Sequence, residues 1–559
     1  MNADGRRDGM KALSRRQFFG ALAAAGSWAA WSGCSSDHQR QPIPGRIVNE
    51  GPPRGHLLRD VHSWEDFDAA DHACDVAIVG GGISGLSAAW KLRRSGVERI
   101  LLLDLEDELG GTSRSGQWGD QIFPWGAHYI NIPPAEADCI HEILQDLGVI
   151  DGYDAANKPL VAAGTMLRWP HERLFYRGRW TDGLDPFIDA SSREREALLR
   201  FEDEMLRWAL HRGRDGRRAF AMPLRYSTAD SRVRRLDQIS MAQYLREEGW
   251  HDDRLRWLVD YACRDDYGST AAQVSAWAGI HYYACRFYDY RVHEAYPAHT
   301  LTWPEGNGHL VAELANRLGK SEIKRQSLVA RLAEERSQVR LGYIDLATGE
   351  KRQLTARAVV YAGKLHTAPY AIVDLPDVQA KAMAAIEYSP WLVAAIFLKE
   401  PLAASQTTWD NVLYDSPSLG YVVADHQQGG GGRVLLYYWP FVDQFADARH
   451  ALLAQDHSFW TEQIMADLRR VHPELDDLVE RIDLYRWGHG MMRPSPGSLW
   501  GPMAGWRQQS MERIFFASCD ATGLPLCEEA IFSGMLAAEQ AMDCLGVAHS
   551  SSLGGLADA

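Results

Sequence analysis

Apolar positions change rhythm several times along the chain. Val76 to Val79 is an unbroken β-branched run, which predicts a short buried strand. Helical spacing takes over at Leu86, Ala89, Trp90 and Leu92, and Ile100 to Leu103 predicts a second strand ending at Asp104. Two long amphipathic stretches, 193–213 and 240–264, read as helices, while 422–440 reads as a hairpin around a Gly-rich turn. A strand surrounds Val329, and 513–542 gives strand, loop with Asp520, and helix opened by Glu528-Glu529-Ala530. These patterns predict an α/β fold.

The first residues follow another logic. Arg6, Arg7, Lys11, Arg15 and Arg16 precede an apolar run from Phe18 to Trp31, too short to anchor across a bilayer. Ser14-Arg15-Arg16-Gln17-Phe18-Phe19 resembles the twin-arginine export signal, which implies a translocase for folded cargo and a periplasmic location. Cys34, after Ser32-Gly33, resembles a lipoprotein acylation site, with Trp31 where Leu or Val is usual. Without residues 1–33 the chain holds 54 basic against 72 acidic residues. That balance disfavours nucleic acid and suits cationic ligands. The eight cysteines show neither CxxC nor metal-ligand spacing, so we expect no metal and mostly buried thiols.

The chemistry begins at strand, glycine turn, helix, strand, acid. Gly80 permits the tight turn, Gly82 admits a pyrophosphate to the backbone, and Gly85 lets the helix pack on the sheet. The helix start at Ile83 and Ser84 offers amides to phosphate, and Asp104 can accept from ribose hydroxyls. Together with EDELGGTSRSGQWGDQIFPWGAHYIN at 106–131 and the late strand, loop and helix, this resembles the flavin-dependent amine oxidase superfamily. The match is best at 72–145, 300–375 and 505–545. Stretches at 301–318 and 361–401 look most similar to the spermidine-dehydrogenase-like branch. The resemblance implies non-covalent FAD, cradled by Gly110 and Gly111 with Thr112, Arg114, Gly126, Ala127 and His128. It also implies adenine at Val329, the late acid at Asp520, and a closing helix at Ala530-Ile531. Asp104 stands where Glu is more frequent, Thr112 where a basic residue is usual, and Cys519 where glycine is usual.

The expected organisation is a signal at 1–33, an arm at 34–71 and a Rossmann-like FAD domain at 72–149, 300–384 and 501–546. An α+β substrate domain is expected at 150–299 and 385–500, and a disordered tail at 547–559. Aromatic segments at 281–291, at Tyr437-Tyr438-Trp439 and at Trp487 are pocket candidates, since ring faces suit a cationic amine. His128, Trp439, Trp487 and His489 are the candidates for lining the flavin site. Asp265, Asp266 and Asp289 are candidates to hold an ammonium; no catalytic base is evident. The lysine that many relatives place near the flavin is missing from APYAIVDLP, with Lys364 and His366 nearby but out of register. That implies transfer to a quinone or cytochrome. The expected function is an exported oxidoreductase that takes a hydride from a C–N bond of an amine, such as a polyamine. Two rivals keep the flavin: a desaturase or isomerase of an apolar polyene or porphyrin-like molecule, and an electron-relay or structural protein. Carboxylates in an aromatic pocket separate the first reading from its rivals.

Overall fold

A computed structural model describes residues 42–554 apart from 51–53, 62, 69–71, 156, 286–299, 320–321, 404–407, 430 and 443–446. The export stretch, Cys34, Asp289 with the rest of 286–291, and 555–559 therefore lie outside the described residues.

The parallel strand His72–Val79 sits at the centre of a seven-stranded sheet. It is flanked in parallel by Ile100–Leu103 on one side and Lys351–Tyr361 on the other. Ile514–Phe516 joins Lys351–Tyr361 in parallel, and Ser327–Glu334 and Val339–Asp345 extend the sheet as an antiparallel ladder. Central strands covered on both faces must be apolar on both, which is why Val76 to Val79 alternates with nothing. The helices Ile83–Arg94 and Cys527–Leu545 cover one face.

A second seven-stranded sheet runs in the order Val479–Met492, Tyr388–Leu398, Val434–Pro440, Tyr421–Val423, Asp410–Leu413, Glu172–Tyr176, Arg179–Asp182. Its two faces bury separate apolar clusters. A helical layer containing Ser192–Leu210, Asp253–Tyr267 and Ala276–Ala284 packs around Phe201, Phe220 and Trp277. The 193–213 helix begins with a capping box between Ser191 and Glu194. The 240–264 stretch divides into Met241–Glu247 and Asp253–Tyr267, because Gly249 turns at φ +79° and Asp252 caps the amides of Arg254 and Leu255. The hairpin at 422–440 forms as expected, its turn held by Asp425 accepting from Gly432 and Arg433.

One expectation fails. Residues 547–554 are packed rather than disordered: Leu553 is buried, its carbonyl accepts from Tyr226, and Ser550 takes a bond from buried Lys91. A buried ammonium needs acceptors, and this segment supplies them alongside Glu539. Of the seven cysteines in the described residues, four are buried.

The start of the Ile83–Arg94 helix packs closely on the first glycine turn. A Cβ on Gly85 would stand 1.9 Å from the Gly80 carbonyl oxygen. We predict that Gly85→Ala costs about 1–3 kcal/mol through overpacking and lowers the urea midpoint. An unchanged midpoint would contradict this packing.

Candidate functional site

A cavity of about 420 Å³ follows the carboxyl ends of the first sheet's parallel strands. At one end lie Asp104 and Val329; at the other lie Trp487, Pro525 and Cys527. Gly80, Gly82, Ile83, Ser84, Gly110, Gly111, Thr112, Arg114, Ala127 and Ala530 line the walls between. The Ile83–Arg94 helix starts at Gly82 with no side-chain cap, so its first amides are left to a ligand. Gly110 (φ +117°) and Gly111 (φ +55°) hold left-handed conformations that bring the second glycine turn against the first, Gly110 donating to the Gly81 carbonyl. Asp104 is buried and oriented by the amides of Gly81 and Glu106. An uncapped helix start, a glycine cradle and an oriented acid fit a dinucleotide.

Several expected ligands face elsewhere. Gly85 is consumed in helix packing, and Ile531 is buried in the apolar cluster beneath the sheet. Asp520 is fully buried and does not line the cavity. Its carboxylate accepts from the Leu365 amide (3.0 Å) and the Tyr388 hydroxyl (2.6 Å), so it braces the wall that neighbouring Cys519 presents. Gly126 and His128 line the adjoining cavity instead.

That second cavity, about 160 Å³, lies between the two sheets and shares Thr112, Ala127, Trp487, Pro525, Leu526 and Cys527 with the first. Strand alternation decides which rings reach it. Tyr438 faces in and donates to the Gly126 carbonyl at 3.0 Å, whereas Trp439 points to the opposite face and packs on Phe441 and Trp460. Trp439 is therefore core. Trp391 and Trp487 face in, and the Trp487 indole donates to the Trp125 carbonyl. His489 lies on the cofactor cavity, not on this one. His128 stacks near Tyr438 at 4.8 Å; its Nδ1 lies 3.1 Å from the Gly126 carbonyl, which leaves Nε2 as the basic nitrogen. Burial drives its pKa down to about 4, so the ring is neutral.

Acids line this cavity as well. Asp265, Asp266, Asp410 and Glu528 line the cavity. Tyr129 donates to Asp265 and Asp266 (3.4 and 3.3 Å), and Tyr261 donates to Asp410 (3.2 Å). Burial, then the charges of Asp265 and Glu172, hold the Asp410 carboxyl well above the usual range, and burial pushes Glu172 up to about 7. Sequence reasoning missed Asp410 and Trp391, and of its candidates Tyr437, Tyr438 and Trp439 only Tyr438 lines the pocket. The alternation of the Val434–Pro440 strand marks one face, but only the sheet order says which face meets the site. Lys364 was expected out of register; it does line the cofactor cavity, 3.8 Å from Asp520 and 3.2 Å from the Gly490 carbonyl.

The fold and site define a two-domain flavoprotein with a nucleotide cavity opening onto an aromatic, acidic pocket. The family model for flavin containing amine oxidoreductase matches residues 83–542, and the chain belongs to that family. It is a FAD-dependent oxidoreductase. Protein anon-37Cs of Drosophila simulans is 33% identical over 106 residues, 19% of this chain and 21% of that protein. The probable flavin-containing monoamine oxidase A of Dictyostelium discoideum is 22% identical over 215 residues, 37% of this chain and 40% of that protein. The chain thus matches about a fifth to two fifths of the length of these curated relatives. Among solved structures, putrescine oxidase bound to putrescine superposes with TM-score 0.63 at 16% identity, covering 85% of this chain and 99% of that one. Cyclohexylamine oxidase from Brevibacterium oxydans gives 0.61 at 16%, over 85% and 99%. A fatty acid isomerase from P. acnes gives 0.57 at 18%, over 83% and 98%. Identities this low establish the fold alone.

The cofactor is FAD, held non-covalently. Cys519 and Cys527 line its cavity, and burial pushes the Cys519 thiol up to about 12 and Cys527 well above its usual range, so neither is a thiolate nucleophile. Acid precipitation is expected to release all the yellow colour to the supernatant, and Cys519→Ser to leave that partition unchanged. A coloured pellet would contradict it.

Proposed function

We propose that the enzyme oxidises a C–N bond of a cationic amine, with polyamines as the leading class. The carrying observation is the acid cluster around Asp410 at the end of an aromatic pocket that shares a wall with the cofactor cavity. FAD supplies hydride acceptance when bound. The protein's own residues do the rest: Tyr438, Trp391 and Trp487 offer ring faces and exclude water, and Asp410 with Asp265 gives the ammonium a counter-charge. An apolar polyene or fatty chain would leave these carboxylates without a use, which disfavours the desaturase and isomerase reading. A flavin relay without its own substrate has no need of the pocket.

Export by the twin-arginine route, lipidation at Cys34 and likeness to the spermidine-dehydrogenase branch remain parts of this reading. So does an electron acceptor other than oxygen, a quinone or cytochrome, because the APYAIVDLP segment carries no lysine.

Anaerobic mixing of the yellow protein with a panel of mono-, di- and polyamines should bleach the flavin, and bleaching by none of them would overturn the proposal. Asp410→Asn should raise the amine dissociation constant at least about tenfold, the worth of one lost charge-assisted bond. An unchanged constant would remove Asp410 from the site.

The raised Asp410 pKa gives a sign for pH. Burial and the charges of Asp265 and Glu172 shift the Asp410 carboxyl toward its protonated form in the empty pocket, and a bound ammonium favours the ionised form. Amine binding should therefore release a proton and tighten as pH rises. Calorimetry in buffers of different ionisation enthalpy measures this; affinity that weakens with rising pH would contradict it.

A further inference from the structure

A third cavity, about 1180 Å³, opens on the cofactor cavity from another direction. It shares Arg114, Lys364, Tyr485 and His489 with the cofactor cavity and no residue with the acidic pocket. Along the Val479–Met492 strand, Trp487 lines the acidic pocket, while Tyr485 and His489, two positions to either side on the same face, line the third cavity. Its outer wall comes from the N-terminal arm. Ile482 and Leu484 donate to Pro44 and Arg46, and the 3₁₀ turn Arg54–Asp60 follows. The family match, residues 83–542, does not include this wall.

The charge of the third cavity is opposite to that of the acidic pocket. Arg59, Arg449 and Lys364 all bear on the His366 ring, which packs 4.4 Å from His489. This crowding of cations, added to burial, holds His366 near pKa 4 and His489 near 3. The Nε of Arg449 and the Nδ1 of His366 are buried with no hydrogen-bond partner among the described residues. Four of the cavity's carboxylates pair with arginines, Glu106, Asp107 and Glu108 with Arg114 and Asp483 with Arg46 and Arg481, which leaves Arg59 and Arg449 without a carboxylate partner among the described residues. Buried donors and cations without matching acceptors are a site for an anion.

We propose that this basic cavity admits a small anionic electron acceptor to the reduced cofactor, while the cationic amine enters through the acidic pocket. The inference rests on the reading above only in that the acceptor is not oxygen, and puts a small one-electron anion in place of the quinone or cytochrome. The balance closes. R–CH2–NH3+ loses two electrons and two protons to give R–CH=NH2+. Two equivalents of a one-electron anionic oxidant take the electrons, and the protons pass to water.

The test uses the FAD-loaded, full-length protein. Hexacyanocobaltate, a redox-inert trianion, should perturb the flavin absorption of the oxidised enzyme, and Arg449→Glu should raise its dissociation constant at least tenfold. After anaerobic reduction by amine, reoxidation by ferricyanide should slow at least tenfold in Arg449→Glu, while reoxidation by a ferrocenium cation does not slow. Arg59→Glu repeats the measurement should the first variant fail to fold. Equal effects on both oxidants, or no hexacyanocobaltate perturbation in the unaltered protein, would overturn the proposal. The rate of bleaching by amine should be the same in both variants. If no amine bleaches the flavin, the function proposed above fails, and the hexacyanocobaltate titration still reads this inference by itself.

Discussion

The site depends on how closely backbone can approach backbone around the first glycine turn. A Cβ on Gly80 would meet the Ala362 carbonyl at 2.9 Å, one on Gly85 the Gly80 carbonyl at 1.9 Å, and one on Gly534 the Ser84 carbonyl at 2.2 Å. These three contacts press the helices Ile83–Arg94 and Cys527–Leu545 together and onto the sheet. They set where the uncapped helix start points and how Ala530 and Cys527 close the cavity. Chain segments separated by more than 400 positions meet there, so the nucleotide site exists only in the completed fold.

From that fixed cavity the second sheet builds outward. One face of its Val479–Met492 strand meets cavities of opposite charge along its length, acids near Trp487 and cations near His489. Long-range fields of opposite sign on two approaches sort ligands before any contact forms, and low-dielectric walls sharpen the sorting. Burial explains why the charges do not simply neutralise one another. It shifts the Asp410 carboxyl toward its protonated form and holds the His366 and His489 rings neutral.

Much of the nucleotide half was legible in the sequence because its requirements are local. Glycines at fixed offsets, a β-branched run and a terminal acid are each dictated by neighbours within about thirty positions. Asp104, Gly110 and Gly111 stand where that reasoning puts them. Asp520 shows the limit: its position in the strand–loop–helix was readable, but its carboxylate is claimed by Leu365 and Tyr388, which only the fold brings near. The substrate half was less legible for the same reason. Tyr437, Tyr438 and Trp439 are chemically alike in a sequence, and only sheet order sends Tyr438 to the pocket and its neighbours to the core. Asp410 was invisible, since an acid in a short apolar strand carries no periodic mark; its partners Asp265 and Glu172 lie on other elements.

The most direct test is a crystal structure of the FAD-loaded protein with a non-oxidisable cationic amine. The account predicts the isoalloxazine at the Trp487 and Cys527 end of the cofactor cavity and the amine nitrogen on the Asp410 carboxylate. An isoalloxazine lying elsewhere, or an ammonium bound away from Asp410, Asp265 and Asp266, would contradict it.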